Sequence, residues 1–138
     1  MSSENKAIVQ RFYNELVNQG NIDMVNELMA GDYVEHGNPD GSGTEGFRKF
    51  FKGLAAAFPN LKITIEDLIA EGDKVVARVT VRATHRGTFM GSIPPTGKEV
   101  NFAGIDIFQL ANGKIIGRWN QRDLLELMRQ LGVFNLPG

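Results

Sequence analysis

At Pro59 the hydrophobic period of the chain changes. Before it, apolar residues recur every three or four positions; after it, they alternate with polar ones. A period near 3.6 buries one stripe of a helix, whereas a period of two buries one face of a strand. Helices come first and strands second, the segregated order of an α+β domain with helices covering one face of a sheet. A curved sheet of this kind can leave a pocket between its concave face and the helices.

The helical half starts at about Glu4, where Ile8, Val9, Phe12, Tyr13, Leu16 and Val17 share one face up to Gly20. Asn21 is placed to cap a short second helix carrying Ile22, Val25, Leu28 and Met29. Asp32 to His36 reads as strand-like and runs into a loop from Gly37 to Gly43. Thr44 is expected to cap a third helix with Phe47, Phe50, Phe51, Leu54 and Phe58 inward, ended by Pro59. The rest reads as an antiparallel meander. Strands carry Leu61–Ile65, Val75–Ala83 and Val100–Leu110, and a last strand follows the hairpin signal Asn112-Gly113, from about Lys114 to Gln121. A final helix, with Leu124, Leu125, Met128 and Leu131 inward, stops at Gly132.

With no repeat, linker or low-complexity tract, residues 1–138 are expected to form a single domain. The 15 basic and 16 acidic residues nearly cancel, so nothing points to nucleic acid as a partner. No cysteine is present, which removes disulfide and thiolate chemistry. No apolar run approaches a membrane span or a signal peptide, so a soluble, cytoplasmic protein is expected. The phosphate-loop, dinucleotide and nucleophile-elbow motifs are missing too.

The informative residues are polar groups that period-two counting places on apolar faces. Asp106 shares its face with Phe102, Gly104, Phe108 and Leu110. A buried carboxylate is costly unless it is paired, so Asp106 is either a pocket acid/base group or one half of a structural ion pair. Arg118 is the expected partner. A three-residue hairpin loop sets the two directly opposite; a two-residue turn at Asn112-Gly113 shifts them to opposite faces. The three-residue loop is the expectation, with Asp106, Ile116, Arg118 and Asn120 on one face and Trp119 on the other. His85 has the parity of Val81 and Ala83 and points inward; His36 stands where a strand enters a loop, a common place for function. These histidines and Asp106 lack metal-ligand spacing, so no metal is expected.

Several stretches carry a family resemblance. They are Asn5-Lys6 through Phe12-Tyr13-Asn14-Glu15, Asp32-Tyr33-Val34-Glu35-His36, and Thr84-His85-Arg86-Gly87-Thr88-Phe89-Met90-Gly91 with Ile93-Pro94-Pro95-Thr96-Gly97. Gly104-Ile105-Asp106-Ile107-Phe108 and Asn112-Gly113-Lys114-Ile115 continue it to Arg129-Gln130-Leu131-Gly132. The chain resembles the SnoaL-like polyketide cyclases, also called ester cyclases, of the nuclear transport factor 2-like superfamily. The resemblance implies a cone-shaped, curved antiparallel sheet with N-terminal helices enclosing a pocket. It also implies a homodimer through the sheet, no cofactor, and an aspartate acting as acid/base in an intramolecular aldol closure. Counted back from Arg129-Gln130-Leu131-Gly132, that aspartate falls on Asn120, within Arg118-Trp119-Asn120 where many relatives read His-Trp-Asp. An amide can donate a hydrogen bond but cannot take a proton at neutral pH.

Two readings of function follow. In the first, an enzyme uses Asp106 as base with His36 or His85 assisting, while Arg118 and Asn120 stabilise negative charge on a carbonyl compound. Phe12, Phe50, Phe102 and Phe108 would line the substrate's place beside Arg118. Isomerase or epoxide-hydrolase chemistry suits the same set. In the second, Asp106 and Arg118 form a neutral structural pair, and the pocket holds a small apolar or carbonyl-bearing ligand without turnover.

Overall fold

The change of period marks where helix gives way to meander in the computed structural model, which describes residues 2–38 and 41–133. Pro39 and Asp40 of the expected loop lie outside the described residues. The first helix, α1 (Ser2–Arg11), runs into a π-helical turn (Phe12–Val17), closed by the Asn18 N–H on the Tyr13 carbonyl at 2.8 Å. That wider turn is where Phe12, Tyr13, Leu16 and Val17 go inward together. A 3₁₀ turn (Ile22–Met24) leads to the single turn of α2 (Val25–Leu28); Asn21 precedes it but gives no side-chain cap. After β1 (Met29–His36) comes α3 (Gly43–Ala57). Ser42 rather than Thr44 holds the capping position, and its hydroxyl is turned back to accept the Glu35 N–H at 2.9 Å.

The strands β2 (Lys62–Glu71), β3 (Lys74–Thr84), β4 (Glu99–Ala111) and β5 (Lys114–Arg122) form the expected antiparallel meander. The sheet is nevertheless mixed, because β1 joins the open edge of β5 in parallel and the order is β1-β5-β4-β3-β2. A parallel neighbour needs a long crossover, and the chain from α3 through β4 supplies one. Pairing with β5 sets Glu35 beside Arg118 and His36 beside Trp119.

The β4–β5 hairpin corrects the expected register. Its turn is the two-residue kind, with Asn112 and Gly113 at φ 53° and 77°, and Ala111 faces Lys114. A bulge at Ile116 then adds one residue to β5, so Gln109 faces Gly117 while Leu110 faces Ile115. The bulge restores the parity that a two-residue turn alone would have lost. Asp106 therefore shares a face with Arg118 and Asn120 but stands opposite Asn120, and Arg118 stands opposite Phe108. Ile115, not Ile116, is the buried isoleucine of this strand.

The last helix, α4 (Leu124–Leu131), is capped by Asp123, whose carboxylate accepts the Glu126 N–H, and ends at Gly132 with φ 81°. Only Leu127 and Leu131 are buried in it; Leu124 and Leu125 are exposed, a correction to the expected inward set. Among the described residues no helix is long and apolar enough to cross a membrane.

Candidate functional site

Between the concave face of the sheet and the helices lies a cavity of about 410 Å³. Its wall is mainly apolar and rich in phenylalanine: Phe12 from the π turn, Phe47, Phe50 and Phe51 from α3, Phe58 after it, Phe89 from the β3–β4 loop and Phe102 from β4. This size and lining suit a small, mainly apolar molecule. At one end Arg118, Asn120, Gln121 and Arg122 supply the polar groups. A smaller cavity, about 140 Å³, adjoins it and shares Asn38, Phe50, Arg118, Asn120 and Gln121; Glu35 is part of its wall.

Two buried carboxylates stand behind this polar end. Asp106 has no exposure and does not line either cavity. Its Oδ2 accepts from the Tyr13 hydroxyl at 2.5 Å and Arg122 Nη2 at 3.0 Å; its Oδ1 accepts from Arg122 Nη1 at 2.6 Å and the Asn120 amide at 3.0 Å. The expected partner of Asp106 was Arg118; the structure gives that place to Arg122, two residues further along the same face. Gly104 makes the pairing possible. It stands opposite Arg122, and a Cβ there would lie 2.5 Å from Arg122 Nη1 and 2.9 Å from the Gln121 carbonyl oxygen.

Arg118 is paired instead with Glu35. Its Nε donates to Glu35 Oε1 at 3.1 Å, its Nη2 lies 3.0 Å from the same oxygen in an ion pair, and the Tyr33 hydroxyl donates to that oxygen as well. Oε2 of Glu35 is buried and has no hydrogen-bond partner among the described residues. The Arg118 guanidinium lies 5.3 Å from the centre of the Phe12 ring and 5.9 Å from that of Phe47, within cation–π range. Burial opposes its charge, but the phenolic and carboxylate oxygens of Tyr33, Asp106, Glu35 and Tyr13 outweigh that, and its pKa moves up. Both phenols are also pushed up, first by burial. For Tyr13 the negative charge of Asp106 and the bond donated to it add to the effect; for Tyr33 the bond to Glu35 adds, against the opposing charge of Arg118. Both tyrosines therefore act as fixed O–H donors.

The other candidates are dispersed. His36 stacks flat on Trp119, with ring centres 4.1 Å apart, and borders the smaller cavity but not the main one. His85 is fully buried behind Phe58 and Phe89, outside the cavity lining. Its Nδ1 accepts the Thr96 N–H at 3.2 Å, which puts the proton of a neutral ring on Nε2; that atom has no partner among the described residues. Phe12, Phe50, Phe102, Arg118 and Asn120 do line the cavity, whereas Phe108 is buried behind it, edge-on to Phe12 and Tyr13. Glu35, Tyr33, Tyr13 and Arg122 were not among the candidates. Parity offered a signal for three of them: Tyr33 and Glu35 alternate in β1, and Arg122 continues the face of Arg118 and Asn120. Among the described residues no three histidine, aspartate or glutamate side chains cluster as a metal site would need.

A family model described as SnoaL-like polyketide cyclase matches residues 7–131. TsrD from Streptomyces laurentii is 30% identical with a TM-score of 0.87, covering 96% of this chain and 97% of its own. A protein of Jannaschia sp. CCS1 assigned to the SnoaL-like polyketide cyclases is 28% identical with a TM-score of 0.87, covering 97% and 95%. IdmH from Streptomyces antibioticus, assigned as a polyketide cyclase, is 30% identical with a TM-score of 0.81, covering 94% and 99%. No curated protein is a sequence match to the chain.

Proposed function

The chain belongs to the SnoaL-like polyketide cyclase family, and on that footing we propose that its cavity binds an uncharged carbonyl compound and performs cofactor-free acid/base chemistry on it, of the ring-closing aldol type. The observation that carries this reading is the polarity of the cavity: an aromatic wall ending in the donors of Arg118 and Asn120. Donors fixed in a site that excludes water stabilise an oxyanion as it forms. The charges around that end cancel, Glu35 against Arg118 and Asp106 against Arg122, which favours a neutral substrate over an anion.

In this reading Asp106 is a positioning residue rather than the base. A carboxylate has about four lone-pair sites, and here Tyr13, Asn120 and both Arg122 nitrogens occupy them. It orients the Asn120 amide and holds Arg122 at the polar end. The alternative, binding without turnover, draws on that same commitment of Asn120, an amide where the family's proton-transferring aspartate would stand.

A linear aryl β-polyketone ester tests the choice. Chromatography should show a ring-closed product, isomeric with the substrate or lighter by one water, forming faster with protein than in buffer. Tight binding by calorimetry with product only at the buffer rate would replace the enzyme by a binding module. We further propose a homodimer packed through the outer sheet face, where Ile105 is half exposed and Ile107 pairs with Trp119. Light scattering at micromolar concentration should give twice the chain mass; the monomer mass would refute the dimer.

A further inference from the structure

Glu35 is the one acidic side chain of the polar end that retains a free acceptor. Oε1 is saturated by Tyr33 and Arg118, while Oε2 is buried and unpartnered among the described residues. An unsatisfied buried acceptor is costly, and native structures rarely keep one without use. Three features hold the side chain in place. Its backbone N–H is tied to Ser42, its Cγ packs where a Cβ on Gly41 would come within 3.5 Å, and the residue walls the smaller cavity beside Arg118 and Asn120. Glu35 thus sets a carboxylate with one uncommitted oxygen into the wall of that cavity.

We propose that Glu35 is the general base of this site, and that its Oε2 takes a proton from the carbon next to the substrate carbonyl. This rests on the acid/base reading above. In the step, the C–H bond breaks and its proton goes to Oε2. The C–H electron pair becomes a carbon–carbon double bond, and the carbonyl π pair moves onto oxygen. One negative charge thus passes from Glu35 to the enolate oxygen. Arg118 borders both positions, since it already binds Oε1 and also lines the main cavity, so it stays paired before and after the transfer. The Asn120 amide lies on the same wall, while its Nδ2 holds Asp106 at 3.0 Å. Asp106 has no such freedom, and His85 lines neither cavity; His36 borders the smaller cavity with Glu35, but its ring lies flat against Trp119.

The probe is β-tetralone, a neutral aryl-fused ketone, in deuterium oxide, with exchange at the carbon next to the carbonyl followed by NMR. Native protein should exchange it faster than buffer. Glu35→Gln should lower that rate by about 10²–10⁴-fold, the usual worth of a general base, while ketone binding by calorimetry persists. Glu35→Gln strands the Arg118 charge and can unfold the chain, so Glu35→Asp is run beside it. That variant keeps the charge but withdraws the oxygen by one methylene, and should lose about a hundredfold in rate with its melting temperature little changed. Native-like exchange by a folded Glu35→Asp or Glu35→Gln would overturn Glu35 as the base and leave the acid/base reading standing. Native protein that binds the ketone but exchanges it only at the buffer rate would overturn both.

Discussion

Asp106 and Glu35 are the same chemical group in nearly the same setting, and they differ in what is left over. Each is buried on the concave side of the sheet, each faces an arginine of β5, and each accepts from a tyrosine. Around Asp106, a second arginine nitrogen and the Asn120 amide complete the set. Around Glu35, the donors converge on one oxygen and the other has none among the described residues. A buried carboxylate with every lone pair used is part of the scaffold; one with an uncommitted oxygen can still accept. Burial and charge do not separate the two, but a count of donors per oxygen does.

The largest way to break this contrast is Asp106→Asn. Removing that charge leaves Arg122 unpaired and turns one acceptor oxygen into an amide facing donors. A loss of about 3–5 kcal/mol is expected, read as a large drop in denaturation midpoint with an unchanged m-value. A midpoint close to native would mean the network around Asp106 is not structural.

A smaller effect is expected one step removed, at Gly104→Ala. The new methyl needs the space of the Arg122 side chain and approaches the Gln121 carbonyl, so Arg122 must leave Asp106 or β5 must shift. Overpacking of this kind costs about 1–3 kcal/mol. The Glu35–Arg118 pair lies further along the sheet, and the β-tetralone affinity should hold to within a few-fold. A variant as stable as native would show that Arg122 pairs with Asp106 without needing that gap.

The smallest effect at neutral pH concerns the two phenols, which are the only tyrosines of the chain. Both are raised in the folded state, so folding favours their neutral forms. Their contribution is complete below about pH 10, the ordinary phenol value, and is lost as pH rises beyond it. Tyrosinate absorbance in an alkaline titration should therefore appear together with unfolding, as followed by circular dichroism. Ionisation of one tyrosine with the fold intact would mark the looser of the two clusters.

Much of the fold was legible because period and turn residues are local. Leu61–Ile65, Val75–Ala83 and Val100–Leu110 alternate as they lie in the sheet, and Asn112-Gly113 forms its turn. What escaped was non-local. The Ile116 bulge has no residue signature, yet without it the two-residue turn would set Asp106 opposite Trp119, and with it Asp106 faces Asn120. The strand character of β1 was legible from Asp32 to His36, but its parallel place beside β5 was not, and with it Glu35 passed unnoticed beside His36, the next residue and the more conspicuous one. Asp106 was correctly marked as an anomaly on an apolar face; parity could not tell which of two arginines on one face would reach it. Gly104 held a clue, since a glycine inside an apolar strand face often admits a close approach, here of Arg122.

If Glu35 carries the uncommitted carboxylate oxygen of this site and Asp106 is closed to ligands, only Glu35 should sense an added donor. Side-chain carboxyl carbon NMR reads both groups in one sample, with β-naphthol added as a stable mimic of an enol donor. The Glu35 carboxyl resonance should move saturably with β-naphthol while that of Asp106 stays in place. Movement of Asp106 with Glu35 unchanged would contradict it.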